Sequence, residues 1–155
     1  MTTTATAPRT AEEWVAGFAA GWAEPRDADS FCDHFDPLLD DRIRLVQPQL
    51  PTTVGKQAFR ERFARPLFAL LGEIRGTVGS WAERDGVVFI ELVIRARLGS
   101  RPVTLRTIDK LTLRDGVAVE RVASFDPLPL LAAVAVTPRA WPRFARVQLG
   151  RLVGR

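Results

Sequence analysis

The chain contains no tyrosine, one cysteine (Cys32) and one histidine (His34) in 155 residues. The absence of tyrosine removes a common hydrogen-bonding acid from any site. One cysteine excludes an intramolecular disulfide framework and any multi-cysteine metal centre, and one histidine excludes His-rich metal sites. Metal catalysis would need carboxylate ligands, and no convincing cluster of them is present. No apolar run approaches the roughly 18–20 residues that span a bilayer. Residues 1–9 are rich in Thr and Ala without an apolar core, which reads as a disordered start and not a secretory signal. The expectation is a cytoplasmic protein.

What is present suffices for one domain with a substantial core: 46% hydrophobic residues, including four Trp and nine Phe. The net charge of +4 is uneven, because residues 138–155 carry five arginines and no acid, leaving the remainder at −1. The high isoelectric point therefore belongs to the tail. The body shows no basic stripe interleaved with aromatics, so no nucleic-acid partner is expected.

Thr10 and Glu13 form a capping-box pattern ahead of Trp14, Val15, Phe18 and Trp22, which recur at helical spacing until Pro25. A short helix follows near 27–35, closed by Asp36-Pro37. Residues 42–47 alternate as a strand. From Lys56, the residues Phe59, Phe63, Leu67, Leu70 and Leu71 predict a third helix that Pro66 should kink or interrupt. Three alternating segments, 73–83, 87–98 and 102–113, and a last strand over 117–125 are separated by Asp85-Gly86, Gly99-Ser100 and Asp115-Gly116, which are hairpin signals. A short apolar helix over 128–136 precedes Pro138. The order is that of an α+β fold: a curved antiparallel sheet with helices packed on its concave face. The divisions are 1–9, a domain over 10–137 and a basic amphipathic helix over 138–155.

The most informative position is Asp109. Val103, Leu105, Leu111 and Leu113 alternate with Thr104, Arg106, Lys110 and Thr112, and Asp109 falls in register with the dry side chains. A carboxylate in apolar surroundings must be paired, hydrogen-bonded or protonated. Such an acid points to a pocket, or it is a structural acid satisfied by backbone amides or an arginine. His34, whose unperturbed pKa lies nearest neutrality, is a second catalytic candidate if its helix turns it inward; the alternative is an exposed, helix-terminal ring. Gln47 offers both a donor and an acceptor. Cys32 has no nucleophile motif and reads as core.

The order of elements and the stretch from Gly55-Lys56-Gln57-Ala58-Phe59 to Phe125-Asp126-Pro127 resemble the nuclear transport factor 2-like superfamily, and within it the SnoaL-like polyketide cyclases, ketosteroid isomerases and limonene epoxide hydrolases. The resemblance covers roughly residues 10–135. It implies a cone whose sheet and helices enclose an apolar cavity, with dimerisation through the outer sheet face in many members. Ile108-Asp109-Lys110 resembles the isomerase stretch holding a protonated aspartate, which implies that Asp109 donates a hydrogen bond to a developing oxyanion. The position of the isomerase's general base falls near Gln47-Pro48, and glutamine cannot take a proton. Against the epoxide hydrolases, Leu45 and Gln47 stand for the water-binding tyrosine and asparagine. The Arg-x-Asp pair falls near Leu92 and Ile94, and the second aspartate near Ala123.

The resemblance thus implies an internal cavity binding an apolar small molecule, with Asp109 and His34 as catalytic candidates and Gln47, Trp14, Phe18, Phe63, Leu92, Ile94 and Leu105 as substrate-binding candidates. If catalytic, the chemistry would be isomerisation or cyclisation of a polycyclic or terpenoid-like substrate, which needs no cofactor. The alternative is a non-catalytic binding or interaction module. The expected assembly is a homodimer through Val93, Arg95, Arg106, Ile108 and Lys110. The tail should form a helix from about Trp141, with Trp141, Phe144 and Leu152 packed on the body or resting on an anionic membrane surface.

Overall fold

A computed structural model describes residues 9–48 and 50–153, with the side chains of 150–153 outside the description. The expectation of a disordered start therefore lies, for residues 1–8, outside the described residues, as does the predicted packing of Leu152. Helix α1 (Ala11–Ala23) starts at the expected capping box, in which Thr10 accepts from the Glu13 amide and the Glu13 carboxylate accepts from the Thr10 amide. Helix α2 (Ala28–Phe35) is capped by Asp27 in the same reciprocal way with Ser30. Strand β1 (Leu39–Val46) and the two-residue β2 (Thr53–Val54) follow.

The third helical region is interrupted, as Pro66 requires. It runs as α3 (Lys56–Ala58), a π-helical segment Phe59–Ala64, and α4 (Arg65–Leu70) with Pro66 in its first turn. At the junction the Arg65 amide bonds to the Arg60 carbonyl, a five-residue step that fits one extra residue into the turn. Strands β3 (Gly72–Arg84), β4 (Val87–Leu98), β5 (Arg101–Arg114) and β6 (Val117–Phe125) complete the sheet. Helices α5 (Leu128–Ala135) and α6 (Trp141–Val153) close the described chain. Both Asp-Gly turns place their two central residues at positive φ (53° and 77° at Asp85-Gly86, 50° and 76° at Asp115-Gly116), the geometry that matches strand twist in tight hairpins.

The sheet order is β2-β1-β6-β5-β4-β3. The last four strands pair antiparallel, as the short turns demand. One correction applies: the sheet is mixed, because β1 runs parallel to its neighbour β6. Those two strands are far apart in sequence, so the helical region and the four strands β2 to β5 between them make the crossover. Register breaks in β3 between Gly72 and Arg75 and between Val78 and Trp81 are bulges that bend and twist the sheet into its curve.

The helices pack on one face, where Trp14, Phe18 and Trp22 of α1 meet Phe31 and Phe35 of α2 and Phe59 and Phe63 of the π-segment in a continuous aromatic core. Close approach is allowed by glycine: a Cβ on Gly76 of β3 would stand 2.7 Å from the Trp22 Cβ. Among the described residues, no helix is long and apolar enough to cross a membrane.

Candidate functional site

Strand β5 sends Val103, Leu105, Thr107, Asp109 and Leu111 to the inner face. Asp109 has no solvent exposure, lying opposite Ile90 of β4 and Ala123 of β6. Its register is as the alternation requires. Its chemical state differs from the oxyanion-donor role, because a cation is present. Arg121 of β6 donates from Nε and Nη2 to Asp109 Oδ2 at 2.9 and 2.6 Å, and Thr107 Oγ1 donates to Oδ1 at 3.1 Å. Both carboxylate oxygens are engaged as acceptors, the reverse of a hydrogen-bond donor to an oxyanion. Of the alternatives open in the sequence, the structure shows the acid satisfied by an arginine.

Arg121 sits opposite Leu111, one diagonal step from Asp109, and Ala118 and Ala123 on the same face of β6 leave room for its stem. Its Cζ lies 5.5 Å from the ring centre of Phe63, 5.8 Å from that of Trp22 and 6.0 Å from that of Phe18. The guanidinium is thus held by a carboxylate on one edge and by aromatic faces around it. The two bonds to Asp109 leave Nη1 unengaged by that carboxylate.

Arg121 also reaches an open-mouthed, largely apolar cleft. Gln47, Phe63, Ile94 and Leu105, all predicted to touch a ligand, line it. The remaining predicted residues do not. Trp14 and Phe18 fill the aromatic core on the other side of Arg121, and the Trp14 indole donates to the Leu38 carbonyl at 2.8 Å. Leu92 is buried without reaching the cleft. His34 is exposed at the end of α2, where its Nε2 lies 2.8 Å from the Gly17 carbonyl, so it faces no part of the cleft. Cys32 is core, and burial pushes its thiol up to about 11, the opposite of an activated nucleophile.

Sequence reading missed Arg121 and Thr107, and the closing wall from α6: Phe144, Val147 and Gln148. Thr107 follows from the alternation that exposed Asp109. Arg121 was hidden by a bulge: between Thr112 and Leu113 of β5 the partner on β6 jumps from Glu120 to Ala118. The extra residue shifts the inward phase of the strand, so that Ala118 and Arg121 both point inward. Among the described residues, the polar side chains lining the cleft are Gln47, Thr107, Arg121 and Gln148; none of these is a carboxylate, imidazole or amine able to take a proton at neutral pH. Among the described residues, no three of His, Cys, Asp or Glu gather as metal ligands.

Similar folds are seen in known structures. A protein assigned as a SnoaL-like polyketide cyclase from Jannaschia sp. CCS1 superposes with a TM-score of 0.68 at 16% identity, covering 84% of this chain and 98% of that one. A protein with a ketosteroid isomerase-like fold from Catenulispora acidiphila DSM 44928 gives 0.65 at 17% identity, covering 80% and 93%. A limonene-epoxide-hydrolase-like enzyme of M. tuberculosis gives 0.59 at 13% identity, covering 92% and 94%. At these identities the likeness shows the fold alone. No curated protein sequence matches. The model of the SnoaL-like domain matches residues 9–121, most of the chain and the whole run of elements from α1 into β6, and the protein belongs to that family.

Proposed function

We propose that the cleft binds an apolar small molecule carrying one hydrogen-bond acceptor, such as a ketone or quinone oxygen, which Arg121 meets through Nη1. The observation that carries this reading is a buried cation, fixed by Asp109, at the wall of a largely apolar cleft. Asp109 already neutralises Arg121, so a neutral acceptor suits the site without a further charge having to be desolvated. Gln47 lines the same cleft and carries a donor and an acceptor for a second oxygen.

The absence of a proton acceptor from the described lining favours binding over acid/base catalysis. A second reading, cofactor-free cyclisation or isomerisation, is supported by one feature: a guanidinium held rigid by a carboxylate is a preorganised donor for a developing enolate oxygen. In that reading Arg121 takes the electrophilic role, and the proton leaves to solvent or within the substrate.

The test is calorimetric titration with a polycyclic ketone and with its parent hydrocarbon, followed by product analysis of the same mixtures. The ketone should bind about tenfold more tightly or better, the value of one net hydrogen bond. Equal affinity for both would remove Arg121 from the site. New products from the ketone would decide for catalysis.

A further inference from the structure

The last acidic residue of the chain is Asp126, and residues 127–155 carry five arginines and no carboxylate side chain. This segment also lies beyond residues 9–121, which define the family match. Helix α6 within it has two apolar flanks. Phe144 and Val147 turn to the cleft. Trp141, Ala145 and Leu149, spaced by four, turn away from it and are exposed, Trp141 by 54% and Leu149 by 58%. Trp141 donates its indole N–H to the Val134 carbonyl at 2.9 Å, which holds the ring beside the end of α5, where Val136 is also exposed. Arg143 and Arg146 are exposed on α6, and Arg139 in the turn before it. Phe144 packs on the body, whereas Trp141 is half exposed and meets the body through its indole hydrogen bond.

We propose that this ridge docks on anionic lipid bilayers, with α6 lying in the plane of the interface. A 13-residue helix is too short to span a bilayer. Its outward stripe of Trp141, Ala145 and Leu149 can enter the headgroup boundary, where an indole is favoured. The arginine stems snorkel, leaving their guanidinium groups at the phosphates. With no carboxylate side chain in the segment, its own charge is wholly attractive to a negative surface. A fluid bilayer also accepts a single convex ridge without the matched shape a protein partner would need. Phe144 and Val147 of the same helix wall the cleft, so docking would bring the cleft beside the lipid phase.

The experiment is co-sedimentation of the full chain with vesicles of mixed phosphatidylglycerol and phosphatidylcholine, and with vesicles of phosphatidylcholine alone. The mixed vesicles should bind the protein, the neutral ones should not, and high salt should release it. The triple charge reversal Arg139→Glu, Arg143→Glu and Arg146→Glu should lower partitioning about 100-fold or more, with an unchanged melting temperature. Leu149→Ser should lower it several-fold with the charges intact. Equal binding to both vesicles, or a triple variant that binds like the parent, would overturn the proposal. So would arginine-dependent self-association or capture of an acidic protein without vesicle binding.

Discussion

Removing the Arg121 guanidinium would strand the Asp109 carboxylate among Ile90, Leu111 and Ala123. Arg121→Met should therefore destabilise the fold by about 3–5 kcal/mol, read as a lower denaturant midpoint. Asp109→Asn leaves the converse charge unpaired and should also lose stability while weakening ketone binding. Replacing both, Asp109→Val with Arg121→Met, should recover most of the loss, since an apolar pair of similar volume often matches a buried ion pair. If the double variant is as unstable as the singles, the pair is not the energetic unit assumed here. Cys32 offers a check on the core: with its thiol pushed up to about 11, only about one molecule in a thousand is thiolate at pH 8. Labelling by a thiol reagent should therefore be slow when folded and fast in denaturant; fast labelling of the native protein would contradict that burial. At this scale the sequence showed that Asp109 was buried, because alternation places a side chain. It did not show the partner, because pairing across strands depends on a register that no local pattern contains.

At the scale of elements, the approach of α1 to β3 rests on Gly76. A methyl there would press on the Trp22 Cβ, which is fixed to the helix backbone and cannot swing aside. Gly76→Ala should cost about 1–3 kcal/mol; thermal denaturation at the parent's value would mean that the helix shifts freely. The caps, hairpins and helix starts were legible because each rests on a few adjacent residues: Thr10 with Glu13, Asp85-Gly86, Asp115-Gly116, and Trp141 after the Pro138 turn. The π-segment was legible only as an interruption at Pro66, since proline shows that a turn must break but not how. The β6 bulge left less trace, and with it the inward phase of Arg121 was lost. The α6 wall of the cleft was likewise unread: a helix with apolar residues on two sides does not announce which side faces inward.

For the whole molecule, the sheet face opposite the helices is the remaining surface without an assigned role. Trp81 on β3, Phe89 on β4 and Ile108 on β5 are 40%, 47% and 46% exposed. Strand pairing brings them together, because Ala82 lies opposite Phe89 and Glu91 opposite Ile108. Arg95, Arg106 and Lys110 surround them, with Glu91 as a carboxylate of opposite sign. An apolar centre with a charged rim is the usual anatomy of an interface, and a two-fold dimer would let the Glu91 of each copy meet a cation of the other. We therefore predict a homodimer burying well over about 1,000 Å² in total. Such a dimer leaves both clefts and both α6 ridges free, because these lie on the helical side of the sheet. Sedimentation equilibrium should give the mass of two chains, and Phe89→Lys with Ile108→Lys should halve it without changing the circular dichroism spectrum, since neither side chain contributes to the core. A single-chain mass for the parent at high concentration would refute the dimer and leave this face free for another partner.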